Sequence, residues 1–254
     1  MRITCIGFVA IAGMASVAFA GGPVVAYDQN VTPGVIFGSG NANGAFTTTT
    51  AGDIEVGLRA KLRYNAMGQP ENTFNSNGAG TYTFNAGGPV SPVRPEWNFE
   101  WSINVNAGGT GLSNLNGYTY LLGLDGDASA GTNFLTFDPI NAVNPNNGQV
   151  WWDHSMGTNA TTAANDAIAG SAGAYATNLA QYNVAQNSWN YAFFPAGPLA
   201  AFNRDTPGQY SIFLAVYEGS TEIARSSIVV NVVPAPGALA LVGLGGLVAT
   251  RRRR

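Results

Sequence analysis

The chain has a single cysteine, Cys5, and a single histidine, His154, in 254 residues. Two absences follow at once. A disulfide framework needs paired cysteines, and a structural zinc site needs four cysteine or histidine ligands, so neither is available. A Ser-His-Asp arrangement would have to use His154, and no phosphate-binding loop or dinucleotide fingerprint occurs. Charge is scarce too: charged residues make up 10% of the chain, against ~25% in an average globular protein. No interior apolar run approaches the ~20 residues of a membrane-spanning helix. Disorder is also excluded as the general state, because 5 Trp and 10 Tyr accompany clear strand patterns.

The little charge present is unevenly placed. Of 11 basic residues, five lie at the ends (Arg2 and Arg251 to Arg254), leaving six against 14 acidic residues and a net charge of −8 between them. A body this acidic excludes nucleic acid as a partner, since that affinity rests on lysine and arginine neutralising phosphates.

What is there reads as β-structure. In "DIEVGLRAKLRY", Ile54, Val56, Leu58, Ala60, Leu62 and Tyr64 alternate with Glu55, Arg59, Lys61 and Arg63. This predicts a strand with one core face and one wet face. In "WNFEWSINVN", Trp97, Phe99, Trp101, Ile103 and Val105 share the inward face. "GTYTF", "YTYLLGL" and "NFLTF" are shorter strands between Gly and Asn turns. "GQYSIFLAVYEGSTEIARSSIVVNV" predicts a hairpin turning at Glu218-Gly219-Ser220. Its entry, Gly208 then Tyr210, resembles the tyrosine corner of immunoglobulin-like sandwiches, with the hydroxyl bonding back to nearby backbone. Between Thr161 and Gln186, Tyr175, Leu179 and Tyr182 recur at helical spacing and predict one short helix. The expected fold is all-β: a two-sheet antiparallel β-sandwich, immunoglobulin-like or jelly-roll-like, over residues 21–233.

Both ends read as addresses. "MRITCIGFVAIAGMASVAFAGG" has a positive start, an apolar stretch and small residues at Ala18 and Ala20. That is a secretory signal peptide spanning 1–20, cleaved after Ala20 and carrying Cys5 away. At the other end stands "VPAPGALALVGLGGLVATRRRR". Pro234 and Pro236 stop any element running in from the body. The 14 residues from Gly237 to Thr250 would reach ~21 Å as a helix, short of a ~30 Å hydrocarbon core. Arg251, Arg252, Arg253 and Arg254 would stay cytoplasmic by the positive-inside rule. The order Pro-x-Pro, hydrophobic span, arginine cluster over residues 234–254 resembles the PEP-CTERM sorting signal of Gram-negative bacteria, with Ala235 where that motif has Glu. The resemblance implies a secreted protein, linked to exopolysaccharide and the cell surface, whose tail is handled by an exosortase, a membrane protease-transpeptidase. The body is also similar to uncharacterised secreted PEP-CTERM proteins, through "NTFNSNGAGTYTF", "WNFEWSINVN" and "AQNSWNYAFF".

Site candidates are few. "WWDHS" sets Asp153, His154 and Ser155 side by side, but neighbours on an extended chain point to opposite faces, so this is a loop rather than a triad. Glu96 and Glu100 flank Trp97 and Trp101 in the manner of a sugar hydrolase, yet strand alternation sends the tryptophans to the core and both carboxylates to a solvated face. Asp125 and Asp127 in "LDGDASAGTNFLTFD", with Asn133 and Asp138 further on, are spaced like ligands of an oxygen-rich calcium loop, although Ala130 stands where an EF-hand needs Gly. Calcium is the only cofactor the pattern admits; the competing reading is an Asp-Gly turn. Trp151 and Trp152 on a loop could stack on sugar rings. The expectation is a non-enzymatic exported protein, structural or adhesive in the envelope or matrix. A carbohydrate-binding module for exopolysaccharide is the alternative, and a secreted hydrolase the third reading. The expected partners are the secretion machinery and an exosortase-like enzyme.

Overall fold

A computed structural model describes residues 22–38, 41–74, 76–144 and 147–235. Two sheets face each other across one apolar core. The first has strands β1 (Val24–Gln29), β2 (Phe46–Ala51), β3 (Ile54–Tyr64), β4 (Pro70–Thr73), β6 (Trp97–Asn104), β9 (Ser155–Gly157) and β10 (Val184–Trp189). Their order is β1-β2-β3-β6-β10-β9, with β4 also on β3. The second has β5 (Thr81–Asn85), β7 (Thr119–Asp125), β8 (Phe134–Phe137), β11 (Gly208–Glu218) and β12 (Thr221–Val233), ordered β5-β12-β11-β7-β8. The pairs are antiparallel except β5 on β12, which run parallel. That pairing joins segments far apart in sequence, where no hairpin turn announces the register.

Strand alternation builds the core as expected. Ile54, Val56, Leu58 and Ala60 of β3 meet Trp97, Phe99, Trp101 and Ile103 of β6 on the inward face, all buried, and the second sheet closes over them with Leu122, Leu124, Ile212, Leu214 and Val230. The aromatic part is dense: Trp189 lies 5.3 Å from Trp101 and 5.2 Å from Phe194, centroid to centroid. Truncating such a residue to Ala costs about 3–5 kcal/mol through lost transfer energy and the cavity left behind.

The hairpin turns where its sequence says, with Gly219 at φ +60°. Tyr210 is buried and its hydroxyl donates to the Thr206 carbonyl at 3.3 Å, the backward bond of a tyrosine corner. A Cβ on Gly208 would meet the Ala128 carbonyl oxygen at 2.4 Å, so the entry to β11 requires glycine. The helix α1 (Ala172–Gln181) starts at Ser171, whose Oγ accepts the Ala174 amide at 3.2 Å. It seats Tyr175 against the core, the hydroxyl donating to the Ile140 carbonyl at 2.9 Å. Residues 184–186, read from sequence as the close of the helical region, belong instead to β10. Among the described residues no helix is long and apolar enough to cross a membrane.

Candidate functional site

The first sheet has a second face, and it departs from expectation. Glu55, Arg59, Lys61 and Glu100 are expected on a wet face, and Asn98, Ser102 and Asn104 share that face on β6. All seven are buried. The cause is the chain between β1 and β2. Residues 31–38 and 41–45 fold across this face as a strap, led by the apolar Val31, Val35, Ile36 and Phe37. Polar bonds fasten it. The Thr32 amide donates to Glu55 Oε1 at 2.7 Å and the Ile36 amide to Gln186 Oε1 at 2.8 Å. Asn104 Nδ2 donates to the Thr32 carbonyl at 2.5 Å. Gly57 makes room: a Cβ there would meet Val31 Cγ1 at 2.6 Å. Burial pushes the Glu55 carboxyl above its ordinary range, against the Thr32 amide that favours its charged form.

Under the strap lies a charged cluster set by strand register. Arg59 of β3 stands directly opposite Glu100 of β6, and Lys61 opposite Asn98, one diagonal step away. Glu100 Oε2 takes Arg59 Nε at 2.7 Å and Nη2 at 2.6 Å, while Oε1 faces Lys61 Nζ at 2.5 Å. Arg59 Nη1 donates to the carbonyls of Ala42 and Gly44 at 3.0 and 2.6 Å. The guanidinium carbon lies 4.2 Å from the Phe46 ring centre and 4.3 Å from that of Phe74, a cation held between two π faces. Desolvation lowers the pKa of both Arg59 and Lys61, and Glu100 acts against that trend.

Beyond the cluster the face opens into a cleft of about 520 Å³, lined by Asn41, Lys61, Arg63, Arg94 and Asn98 among others. A second cleft of about 370 Å³ carries Asn147, Gln149 and Trp151. Asp153, Asn187, Ser188 and Phe193 line both, so the two form one groove. Its chemistry is amide and hydroxyl side chains with aromatic walls. Arg94 lies 5.1 Å over the Phe193 ring and Arg63 5.1 Å over that of Tyr64. Among the described residues, Arg59, Lys61, Arg204 and Arg225 each have a carboxylate partner. Arg63 and Arg94, which have none, both stand in this groove. A guanidinium in that position matches a carboxylate with a planar pair of donors.

The residues picked from sequence fall as follows. Trp151 is half-buried and lines the groove. Trp152 does not offer a free face: it is 1% exposed, stacks on Phe137 and His154, and donates Nε1–H to the Ala142 carbonyl. Adjacent positions on extended backbone point to opposite sides, so with Trp152 turned into the core its neighbour Trp151 is left at the groove. Glu100 is not on a solvated face but at the centre of the buried cluster, and Glu96 accepts the Asn85 amide at 2.9 Å. His154 lies on the loop just before β9, as expected, but it is not solvent-facing. It is buried against Trp101, Trp152 and Trp189, next to an exposed Asp153.

Asp125 and Asp138 lie towards opposite ends of β7. Asp125 is its last residue, and Asp138 Oδ2 accepts the Tyr120 amide near its first. At ~3.3 Å per residue the two are too far apart for one ion. Asp125 Oδ1 accepts the amides of Asp127 and Asn133 at 3.0 and 2.8 Å, and Oδ2 that of Ser211 at 3.3 Å. Asp127 Oδ1 caps Ser129 at 2.9 Å. These carboxylates shape turns. Among the described residues no cluster of three or more histidine, cysteine or acidic side chains could hold a metal. Pro234 follows the end of β12. Ala18, Ala20, Pro236 and Arg251 to Arg254 lie outside the described residues. Comparison with protein-family models, characterised proteins and solved structures finds no match for this chain.

Proposed function

We propose that this is an exported bacterial cell-envelope or extracellular-matrix protein with a structural or adhesive role. Residues 1–20 direct it through the secretion machinery, and residues 234–254 form a PEP-CTERM-like tail read by an exosortase-like membrane enzyme. The observation that carries this reading is the order of the tail: Pro234 and Pro236, an apolar stretch, then Arg251 to Arg254. A β-sandwich whose first sheet is covered over part of its outer face by a hydrogen-bonded strap suits a role outside the cytoplasm where persistence matters. The backward bond of Tyr210 supports the immunoglobulin-like form of the sandwich. Deleting Arg251 to Arg254 in the native host tests the reading. The truncated protein should be mislocalised and keep its hydrophobic tail; processing and localisation like wild type would reject it.

A specific observation favours exopolysaccharide binding as the form of adhesion. The groove pairs aromatic surface at Trp151 and Phe193 with amide side chains. It also holds Arg63 and Arg94, the two arginines among the described residues that lack a carboxylate partner. That combination fits a sugar polymer bearing carboxylates. Retention on an immobilised uronate-containing polysaccharide should fall at least tenfold in Trp151→Ala and in Arg63→Ala/Arg94→Ala. Unchanged retention in both would remove the groove from consideration.

A further inference from the structure

Lys61 is the only lysine in the chain, and it is 2% exposed. Burying a lysine in its charged form is costly unless the charge is paired. The cluster it joins makes this harder to understand. Arg59, Lys61 and Glu100 bring two cations to one anion in a water-poor site, and a buried ion group is tolerated when its charges balance. Arg59 alone would balance Glu100. A methionine or leucine at position 61 would serve packing better, unless the amine has a chemical use.

Its neighbours supply one. Lys61 Nζ lies 2.5 Å from Glu100 Oε1 and 2.6 Å from Asn41 Oδ1. The carboxamide carbon is one bond beyond the oxygen that Nζ already touches. Asn41 is held from its other side, Nδ2 donating to the Phe37 carbonyl at 2.8 Å. Arg59 occupies Glu100 Oε2 from two nitrogens, which leaves Oε1 turned to the amine. Amine, carboxamide and buried carboxylate are the three groups an amide exchange needs: nucleophile, electrophile and proton carrier.

We propose that Lys61 and Asn41 are joined in the mature protein by an intramolecular isopeptide bond, and that Glu100 catalyses its formation. The ammonium of Lys61 gives a proton to Glu100 Oε1. The free amine attacks Asn41 Cγ, forming a C–N bond, and the carbonyl electron pair moves onto Oδ1. Collapse of that intermediate breaks Cγ–Nδ2, with Glu100 passing a proton from the attacking to the leaving nitrogen. Ammonia departs and carries away the remaining proton as ammonium. No oxidant or reductant enters, and one positive charge leaves the site. The product is a neutral amide beside a balanced Arg59–Glu100 pair. Burial favours the step, because desolvation already draws the Lys61 pKa down towards the free amine. Asn41 and Lys61 both line the groove, which gives the ammonia a way out. The bond would pin the strap to β3, a cross-link in a chain whose single cysteine cannot supply one.

Intact-mass spectrometry of the purified, denatured full chain tests this. The proposal expects a mass about 17 Da below that of the sequence between the observed termini, the mass of ammonia. It also expects a branched tryptic peptide carrying both Asn41 and Lys61. That peptide separates the cross-link from a succinimide at an Asn-Gly step, which shows the same deficit in an unbranched peptide. Asn41→Ala, at a half-buried rim position, and Glu100→Gln should both keep their full mass. Asn41→Asp should lose about 18 Da, as water rather than ammonia leaves. Full sequence mass in the folded wild type, with Lys61 open to amine reagents after denaturation, would overturn the proposal. So would a deficit that persists in Asn41→Ala.

Discussion

Acidification should unlock the core through His154. The ring is fully buried and its pKa is drawn down to about 4, first by desolvation. Two neighbours favour the cation without offsetting that cost, the Pro139 carbonyl and the charge of Asp153. The remaining titratable group against it is Tyr175, 6.1 Å away between ring centres. The neutral ring satisfies both its nitrogens, donating from Nε2 to Pro139 O at 2.7 Å and accepting at Nδ1 from Asn187 Nδ2 at 3.1 Å. In the unfolded chain the same group titrates near 6.5. The folded pKa lies below the unfolded one, so stability is fully present above pH ~6.5 and is lost as pH falls towards ~4. A difference of about 2.5 units at ~1.36 kcal/mol each gives a loss of about 3 kcal/mol across that window. Urea unfolding of wild type and His154→Gln at intervals from pH 7.5 to 4 reads it. Burial also raises the carboxyls of Glu55 and Glu96, and these are common to both proteins and cancel in the difference. Parallel stability curves for the two proteins through this window would refute the reasoning.

Three further outcomes are expected. Glu100→Gln leaves the buried Arg59 guanidinium without its counter-charge and should cost about 3–5 kcal/mol in chemical denaturation. Gly57→Ala places a methyl against Val31, lifts the strap, and should cost about 1–3 kcal/mol, with faster hydrogen exchange at the Thr32 and Ile36 amides. Calcium at millimolar concentration should leave the melting temperature unchanged, because the carboxylate oxygens of Asp125 already serve three backbone amides; a rise of several degrees would restore the ion site.

Much of the sandwich is written locally. Alternation at Ile54–Leu62 and Trp97–Ile103 sets the inward faces, Gly219 sets the hairpin, and the spacing of Tyr175, Leu179 and Tyr182 sets the helix. The outward face of β3 departs from its strand pattern for a physical reason. A period-2 pattern says which side chains share a face, but not whether another segment covers that face. Val31 to Phe37 has no strand alternation, so its place over Glu55 and Gln186, with Asn41 to Gly44 over Arg59 and Lys61, is a tertiary fact. One signal in the sequence points there: in a chain with so few charges, Arg59 and Lys61 stand two residues apart on β3, and the register that adds Glu100 is tertiary. The groove was half legible. Trp151 was picked from its neighbourhood, whereas Arg63 and Arg94 meet it only through the folding of β3 and the Arg94 loop. The parallel β5–β12 pair, which no turn encodes, was not legible at all.

The central claim is that the folded sandwich is delivered outside the cytoplasm and that both ends serve its delivery. Mass spectrometry of the protein recovered from the native host, with its cellular fraction recorded, tests this most directly. The account predicts a chain starting at Gly21, lacking Arg251 to Arg254, in the envelope or the medium. A cytosolic chain that still carries Met1 and all four terminal arginines would contradict it.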